Sequence, residues 1–218
     1  MMPGHRFETS AGFDHKRSYT QLTTSMRFLS ILLCGLLMLL SAIAAPVDPS
    51  SQIASLIDPG KLATLGVRGA NGRVQKAVYW LETARREGEK PAKVLDTALK
   101  GSSYKRSAAK LTKDSLLRNL RIAEQLGCLN DEGLAEMKRG KSPTVTTGPC
   151  KGDELSVDHI IPRAVVPELD NVIANLELMP LRLNESKNAK IGDRQRSMAK
   201  KFQRAGLLSR KGLEAVLR

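Results

Sequence analysis

Two short apolar runs, each ended by a proline, constrain the fold of this 218-residue chain more than any other feature. The first run, residues 157–161, is rich in β-branched side chains and contains one Asp-His pair. The second, residues 175–179, alternates polar and apolar side chains. Both patterns are typical of short strands. Residues 184–190 begin with a favoured capping residue, Asn184, and contain no glycine or proline, which predicts a helix. The expected unit is strand, loop, strand and helix.

The polar residues of this unit and their apolar spacers resemble the HNH endonuclease family, whose sites have ββα-metal folds. The resemblance is carried by Asp158-His159 before Ile-Ile-Pro, by Asn175 in Asn-Leu-Glu-Leu-Met-Pro, and by Asn184 in Asn-x-x-Lys with Lys187. Asn184 stands where many members have histidine, a variant that the family also uses. Many relatives add two Cys-x-x-Cys pairs that bind a structural zinc. This sequence has no such pairs, so no structural zinc is expected.

The residue types fit phosphodiester hydrolysis at a metal site. Asp158 and Asn184 offer hard oxygen ligands, which suit Mg²⁺ or Mn²⁺. His159 is the histidine that the expected mature chain retains, because His5 and His15 precede the predicted signal segment. A neutral imidazole beside the metal can take a proton from water near neutral pH, so His159 is the candidate general base.

The resemblance assigns roles to further polar residues. Asn175 would hold the loop between the strands. Lys187, about one helical turn after Asn184, would contact a phosphate oxygen. Arg163 and Lys190 are additional candidates for phosphate contacts.

Each of these residues also has an ordinary structural interpretation. The Asp-His pair can be a hydrogen-bonded turn, Asn184 only an N-cap, Asn175 a turn asparagine and Lys187 a solvated helix residue. The agreement of all of them with the spacing of one family favours a nuclease site.

The formal net charge of +13 favours a polyanionic partner, either nucleic acid or an anionic surface. Aromatic residues make up only 4% of the chain. Phosphate contacts should therefore dominate over base stacking, with weak sequence preference and strong salt sensitivity. DNA is favoured over RNA as the partner, although the residues alone do not distinguish them, and no small-molecule cofactor is expected.

Two other function classes stay open. The first is a non-catalytic, basic nucleic-acid-binding protein of the cell envelope. The second is a membrane-anchored protein that uses its charge on anionic lipid.

An export signal is predicted near the N-terminus. Arg27 precedes an apolar run over residues 28–40, and the A-x-A sequence at residues 42–44 is typical of a signal-peptide cleavage site. Residues 1–44 are therefore expected to be an N-terminal extension and signal peptide of a secreted or periplasmic protein. The alternative is an uncleaved anchor over residues 28–45, which would place the protein at a membrane.

Helical periodicity dominates the rest of the sequence. The expected fold is α+β and mostly helical, with an HNH ββα-metal motif packed against flanking helices. The pattern predicts helices near residues 53–57 and over residues 73–86, 91–99, 107–126, 130–138 and 194–205. Residues 207–217 finish the chain and contain the apolar residues Leu208, Leu213 and Val216.

We expect two domains after the signal segment, a helical domain over residues 45–141 and a nuclease domain over residues 142–218. In the second, Lys200, Lys201 and Arg204 form either a phosphate-binding patch or an ordinary solvated helix face.

Cys128 and Cys150 are the cysteines that the expected mature chain retains. An even count in an exported protein favours a disulfide between them. Such a bond would stabilise the fold by on the order of 3 kcal/mol through the entropy of the closed loop. The alternative is two buried free thiols, because the sequence does not place the sulfur atoms close together.

Overall fold

The computed structural model of the protein describes residues 47–187 and 189–218. In this part of the chain the fold is α+β and mostly helical, as the sequence predicted. The predicted signal segment and its cleavage site lie outside the described residues. Within those residues, no helix has both the length and the apolar character needed to cross a bilayer.

The helices predicted between residues 73 and 138 and over residues 194–205, and both strands, have bounds in the structure close to the predicted ones. The helices before the strands are α1 (Pro49–Ile57), α2 (Pro59–Ala63), α3 (Asn71–Arg86), α4 (Pro91–Leu99), α5 (Arg106–Gln125) and α6 (Asp131–Arg139). The strands are β1 (Leu155–His159) and β2 (Leu176–Pro180), separated by short 3₁₀ turns at Pro167–Leu169 and Ile173–Asn175. The final helices are α7 (Leu181–Ser186), α8 (Asp193–Ala205) and α9 (Arg210–Leu217).

Several helices begin and end at residues whose local chemistry explains the boundary. The side chain of Asp48 accepts hydrogen bonds from first-turn amides of α1, and that of Asn130 does the same for α6. Gly140 and Gly206 end α6 and α8 in the left-handed conformation, which glycine adopts without a steric penalty. Such local signals are readable from the sequence, so these boundaries were predictable.

The two strands are antiparallel, and Asp158 of β1 lies opposite Glu177 of β2. Helix α5 covers the outer edge of β2 through Asn119. The Asn119 amide accepts a hydrogen bond from Leu178 N (2.9 Å) and donates one to the main-chain oxygen of Leu176 (3.0 Å). A buried side chain thus replaces a third strand, which fixes the sheet against the preceding helices.

One hydrophobic core joins the helices to the sheet, and residues 47–218 form one compact unit. A two-stranded sheet cannot bury its own apolar face, so it packs against the helices that precede it. The core therefore continues across the domain boundary that was expected between residues 141 and 142. Its members include Val74, Val78 and Leu81 of α3, Leu116 of α5, and Leu155, Leu176 and Leu178 of the sheet.

A second hydrophobic cluster fixes the loop between the strands. Apolar side chains of this loop pack against the two C-terminal helices and the turn that joins them, so the loop is anchored on both sides. The cluster includes Ile161, Val166 and Leu169 of the loop, Ala199 and Phe202 of α8, Leu208, and Val216 of α9.

The helix after β2 differs from the prediction. It runs over Leu181–Ser186, so Asn184 lies in its last turn and is not its N-cap, and Lys187 follows in extended backbone. Asp153 supplies the cap instead, because its Oδ2 accepts a hydrogen bond from Arg182 N (3.0 Å). This capping carboxylate comes from a separate segment, which local sequence patterns do not reveal.

Candidate active site

A cavity of about 250 Å³ lies at the end of β1. A larger groove between α4 and α5, of about 670 Å³, has no histidine and none of the predicted site residues in its lining. The smaller cavity is the candidate site, because it brings titratable and cationic side chains together. Its polar lining consists of Asp158, His159, Arg163, Asn184, Lys187 and Arg68.

The imidazole of His159 is buried and held by Asp170. Its Nε2 lies 3.0 Å from both the main-chain oxygen and Oδ1 of Asp170. A carbonyl oxygen can only accept a hydrogen bond, so Nε2 must be the protonated nitrogen. In the neutral ring, Nδ1 then keeps a free lone pair, as a general base requires. Sequence reasoning missed Asp170, because a single acidic residue in a loop belongs to no pattern.

The carboxylate of Asp158 forms an ion pair with the ammonium of Lys187. Lys187 Nζ also donates to the main-chain oxygen of His159 over 3.2 Å. From the sequence, Asp158 was expected to bind a metal and Lys187 a phosphate, whereas the structure places them against each other. A cation that binds this oxygen of Asp158 must therefore compete with the lysine.

The amide of Asn184 is oriented by a short relay of hydrogen bonds. The Ser156 hydroxyl donates to the main-chain oxygen of Met179 (3.0 Å) and accepts from Asn184 Nδ2 (3.0 Å). Because the hydroxyl hydrogen is already used, the nitrogen end of the amide must face Ser156. Asn184 Oδ1 is therefore the end that stays available to a ligand. Ser156 and Asp158 alternate with Val157 along β1 and so lie on one face of the sheet.

Asn175 does not line the cavity but supports the loop that does. It is fully buried, and its Oδ1 accepts a hydrogen bond from Ile161 N (2.8 Å). Its Nδ2 donates to the main-chain oxygens of Ile161 (3.0 Å) and Leu169 (3.3 Å). These bonds join the start of the loop to its middle, which is the geometry that a loop-holding role requires.

A second carboxylate, that of Glu177, lies across the sheet from Asp158. Glu177 is buried between Arg118 of α5 (2.8 Å) and Arg194 of α8 (2.5 Å). The contact from Arg118 Nε is an ion pair without the alignment of a hydrogen bond. Burial lowers the pKa of Arg118, whereas the hydrogen bond to Glu177 raises the pKa of Arg194. Two guanidinium groups thus neutralise Glu177 and leave Asp158 as the carboxylate in the cavity lining. Sequence reasoning missed this cluster, because its members come from separate elements.

The donor atoms of the cavity fit a hydrated Mg²⁺ or Mn²⁺ ion. Asp158 supplies a carboxylate and Asn184 an amide oxygen, both of them hard ligands. Among residues 47–187 and 189–218, no three histidine, cysteine or acidic side chains meet in a metal-binding group. An ion at this site would therefore keep several water ligands.

The remaining predicted phosphate contacts differ in their relation to the cavity. Arg163 lines it, is about half exposed, and has its Nε 4.0 Å from Asp170 Oδ1. Lys190 and the α8 residues Lys200, Lys201 and Arg204 are exposed and lie outside the lining. This exposure agrees equally with a phosphate-binding patch and with a solvated helix face.

The disulfide expected from the cysteine count is not present in the structure. Cys128 and Cys150 are free thiols, the first buried and the second half-buried. The Cys128 thiol lies 3.6 Å from the main-chain oxygen of Thr144, and burial raises its pKa to about 11. Both side chains pack against the main core, so they act as small apolar residues.

Comparison of the chain with protein-family models, with curated proteins and with solved structures finds no match. The likeness of residues 157–190 to HNH nucleases therefore stays a prediction from the sequence. Assignment of a function to the cavity depends on its own residues and their geometry.

Proposed function

We propose that the protein is a metal-dependent endonuclease that hydrolyses phosphodiester bonds of nucleic acid, with DNA as the favoured substrate. In this proposal β1, β2 and α7 form a ββα-metal motif. The single observation that carries the proposal is the hydrogen-bonded state of His159. Its Nε2 bonds to Asp170, which leaves Nδ1 free to act as a base, and His159 lines the same cavity as Asp158 and several cationic side chains.

The residues of the cavity suffice for the proton transfer. A water molecule attacks the phosphorus and its proton passes to His159 Nδ1, while the new P–O bond forms and the ester P–O bond breaks. Asp170 stabilises the resulting imidazolium through Nε2. The leaving oxygen takes a proton from solvent.

The cationic side chains position the phosphate and offset its charge. Arg163 can reach a phosphate oxygen from the cavity wall. Lys187 can exchange its ion pair with Asp158 for one with phosphate once a cation occupies the carboxylate. A metal ion held by Asp158 and Asn184 would supply positive charge next to the leaving oxygen.

The net charge of +13 supports low sequence specificity, because charge attracts the phosphate backbone without reading bases. The predicted signal segment supports a secreted or periplasmic site of action.

A direct test is cleavage of supercoiled plasmid and of a structured RNA by the purified protein. We expect plasmid degradation with Mg²⁺ or Mn²⁺ and protection by a chelator. Absence of cleavage of either substrate with every divalent ion tried would contradict the proposal.

The second candidate function is non-catalytic binding of nucleic acid in the cell envelope. The ion pair between Lys187 and Asp158 favours it, because the lysine already offsets the charge of the carboxylate that a metal would need. Salt-sensitive binding of plasmid without cleavage, at millimolar Mg²⁺, would support this function over the first.

A further inference from the structure

Arg68 is the residue of the cavity lining that lies farthest from the predicted motif in the sequence. It belongs to the segment between α2 and α3, in the helical half of the protein. Its φ angle is +56°, and among the described residues it is the one non-glycine position with a positive φ. A residue with a Cβ is disfavoured in this conformation, and such strain clusters at functional sites.

Hydrogen bonds from the strand-connecting loop hold the Arg68 segment in place. Arg68 N donates to Asp170 Oδ2 (3.0 Å), and Ala70 N donates to Asn171 Oδ1 (3.0 Å). Asn171 Nδ2 in turn donates to the main-chain oxygens of Leu65 (3.2 Å) and Gly66 (3.1 Å). Side chains of the loop thus replace the main-chain partners that this turn lacks, and they determine its conformation.

The two oxygens of Asp170 connect the segment to the candidate base. Oδ1 accepts from His159 Nε2, and Oδ2 accepts from Arg68 N. One carboxylate, with a side chain only 12% exposed, therefore fixes both the imidazole and the backbone of Arg68. A shift of either would disturb the other.

The guanidinium of Arg68 differs from the neighbouring cations in having no partner among the described residues. Arg118 and Arg194 pair with Glu177, and Lys187 pairs with Asp158. Arg68 is exposed and belongs to the cavity lining, and its side chain makes no hydrogen bond or ion pair with any described residue. A planar guanidinium without a carboxylate partner is well suited to bind two oxygens of a phosphate.

We propose that Arg68 binds the scissile phosphate of the nucleic-acid substrate and stabilises the charge that develops during hydrolysis. In this arrangement the strained backbone of Arg68 directs its side chain into the cavity. Asp170 holds the Arg68 backbone and the His159 ring in a fixed relative position. The proposal rests on the proposed nuclease function. It makes the helical half of the chain part of the active site.

Two substitutions in the full chain distinguish the effect of losing the Arg68 guanidinium from the effect of relieving its backbone strain. Arg68→Gly removes the guanidinium and relieves the strain, because glycine accepts positive φ. Arg68→Ala removes the guanidinium and keeps the strain. We expect both to lower kcat for plasmid cleavage by about 10²-fold, the loss typical of one donor to developing charge. The glycine variant should have the higher Tm of the two.

Binding measurements distinguish a transition-state contact from general attraction. In chelator, the Kd for uncut plasmid should change by less than about threefold, because many other cations contribute to affinity. Arg68→Lys should recover only part of the rate, since an ammonium cannot bind two oxygens at once. Arg210→Ala removes an exposed arginine outside the cavity and should cleave as the wild type does.

The outcomes separate this inference from the proposed function. If the wild type does not cleave, the nuclease proposal fails. If the wild type cleaves and Arg68→Gly retains a rate within about twofold of it, only the role of Arg68 is overturned. Equal losses in the glycine and alanine variants, with a folded glycine variant, support the binding of the scissile phosphate by Arg68.

Discussion

Replacement of Asp170 by asparagine should slow hydrolysis without removing the base itself. The carboxylate accepts from His159 Nε2 with one oxygen and from Arg68 N with the other. An amide of the same shape has a single acceptor and cannot satisfy both donors. If its oxygen faces Arg68, its NH₂ group faces Nε2–H. If its oxygen faces His159, two N–H groups face each other at Arg68.

The magnitude follows from the bond that is lost. A hydrogen bond to a charged group contributes about 1.5–3 kcal/mol, and each 1.4 kcal/mol in a barrier is about a tenfold change in rate. The loss of one such bond to the imidazolium corresponds to a fall in kcat of about 10- to 100-fold. The effect should not be larger, because the main-chain oxygen of Asp170 still accepts from Nε2 and preserves the tautomer.

The assay is plasmid cleavage at saturating substrate, with Kd measured separately in chelator. Asp131→Asn is the matched control, because the side chain of Asp131 is 93% exposed and lies outside the cavity lining. Asp170→Asn should lower kcat and keep the helical circular dichroism. Its Kd should stay within about threefold of the wild-type value, because many phosphate contacts share the affinity. Cleavage at the wild-type rate by Asp170→Asn would refute the role of this carboxylate in stabilising the imidazolium.

Three further outcomes follow from the same geometry. Asn175→Ala should lower the free energy of unfolding in urea by about 2–4 kcal/mol, because it leaves main-chain groups of Ile161 and Leu169 without their hydrogen-bond partner. An unchanged midpoint would contradict the loop-holding role. Asn184→Ala should raise the Mg²⁺ concentration for half-maximal cleavage, and an unchanged titration would remove Asn184 from the metal site. Cys128 should resist a thiol reagent in the folded protein at pH 8, since its pKa is raised from 9.0 to about 11 and the thiol stays protonated. Mass spectrometry should show that Cys150 reacts first. A protein without free thiols would instead support the disulfide prediction.

The elements of the fold were largely predictable from the sequence, and the contacts between them were not. Helix bounds follow from local signals, such as the Asn130 cap and Gly140 at the two ends of α6. The core that joins the helices to the sheet does not, because Asn119 reaches the edge of β2 from more than fifty residues away. A pattern confined to one segment cannot show that the sheet and the helices share one interior.

The residues of the candidate site also divide into those that the sequence indicated and those that only the fold brings together. Asp158, His159 and Asn184 were identifiable because they are close in sequence to the strand ends. Asp170 and Arg68 were not, since a loop carboxylate and an arginine of a distant turn become meaningful only when the fold joins them. The interpretation of Lys187 failed to anticipate its ion pair with Asp158, because the short α7 ends one residue before it.

The most direct test of the nuclease assignment is plasmid cleavage by His159→Ala under conditions in which the wild type is active. Its loss of the general base should lower the rate by roughly 10²–10⁴-fold. Plasmid affinity in chelator and the circular dichroism spectrum should remain close to those of the wild type, because phosphate contacts come from lysine and arginine. Cleavage by His159→Ala at the wild-type rate would contradict the assignment of His159 as the general base of a nuclease.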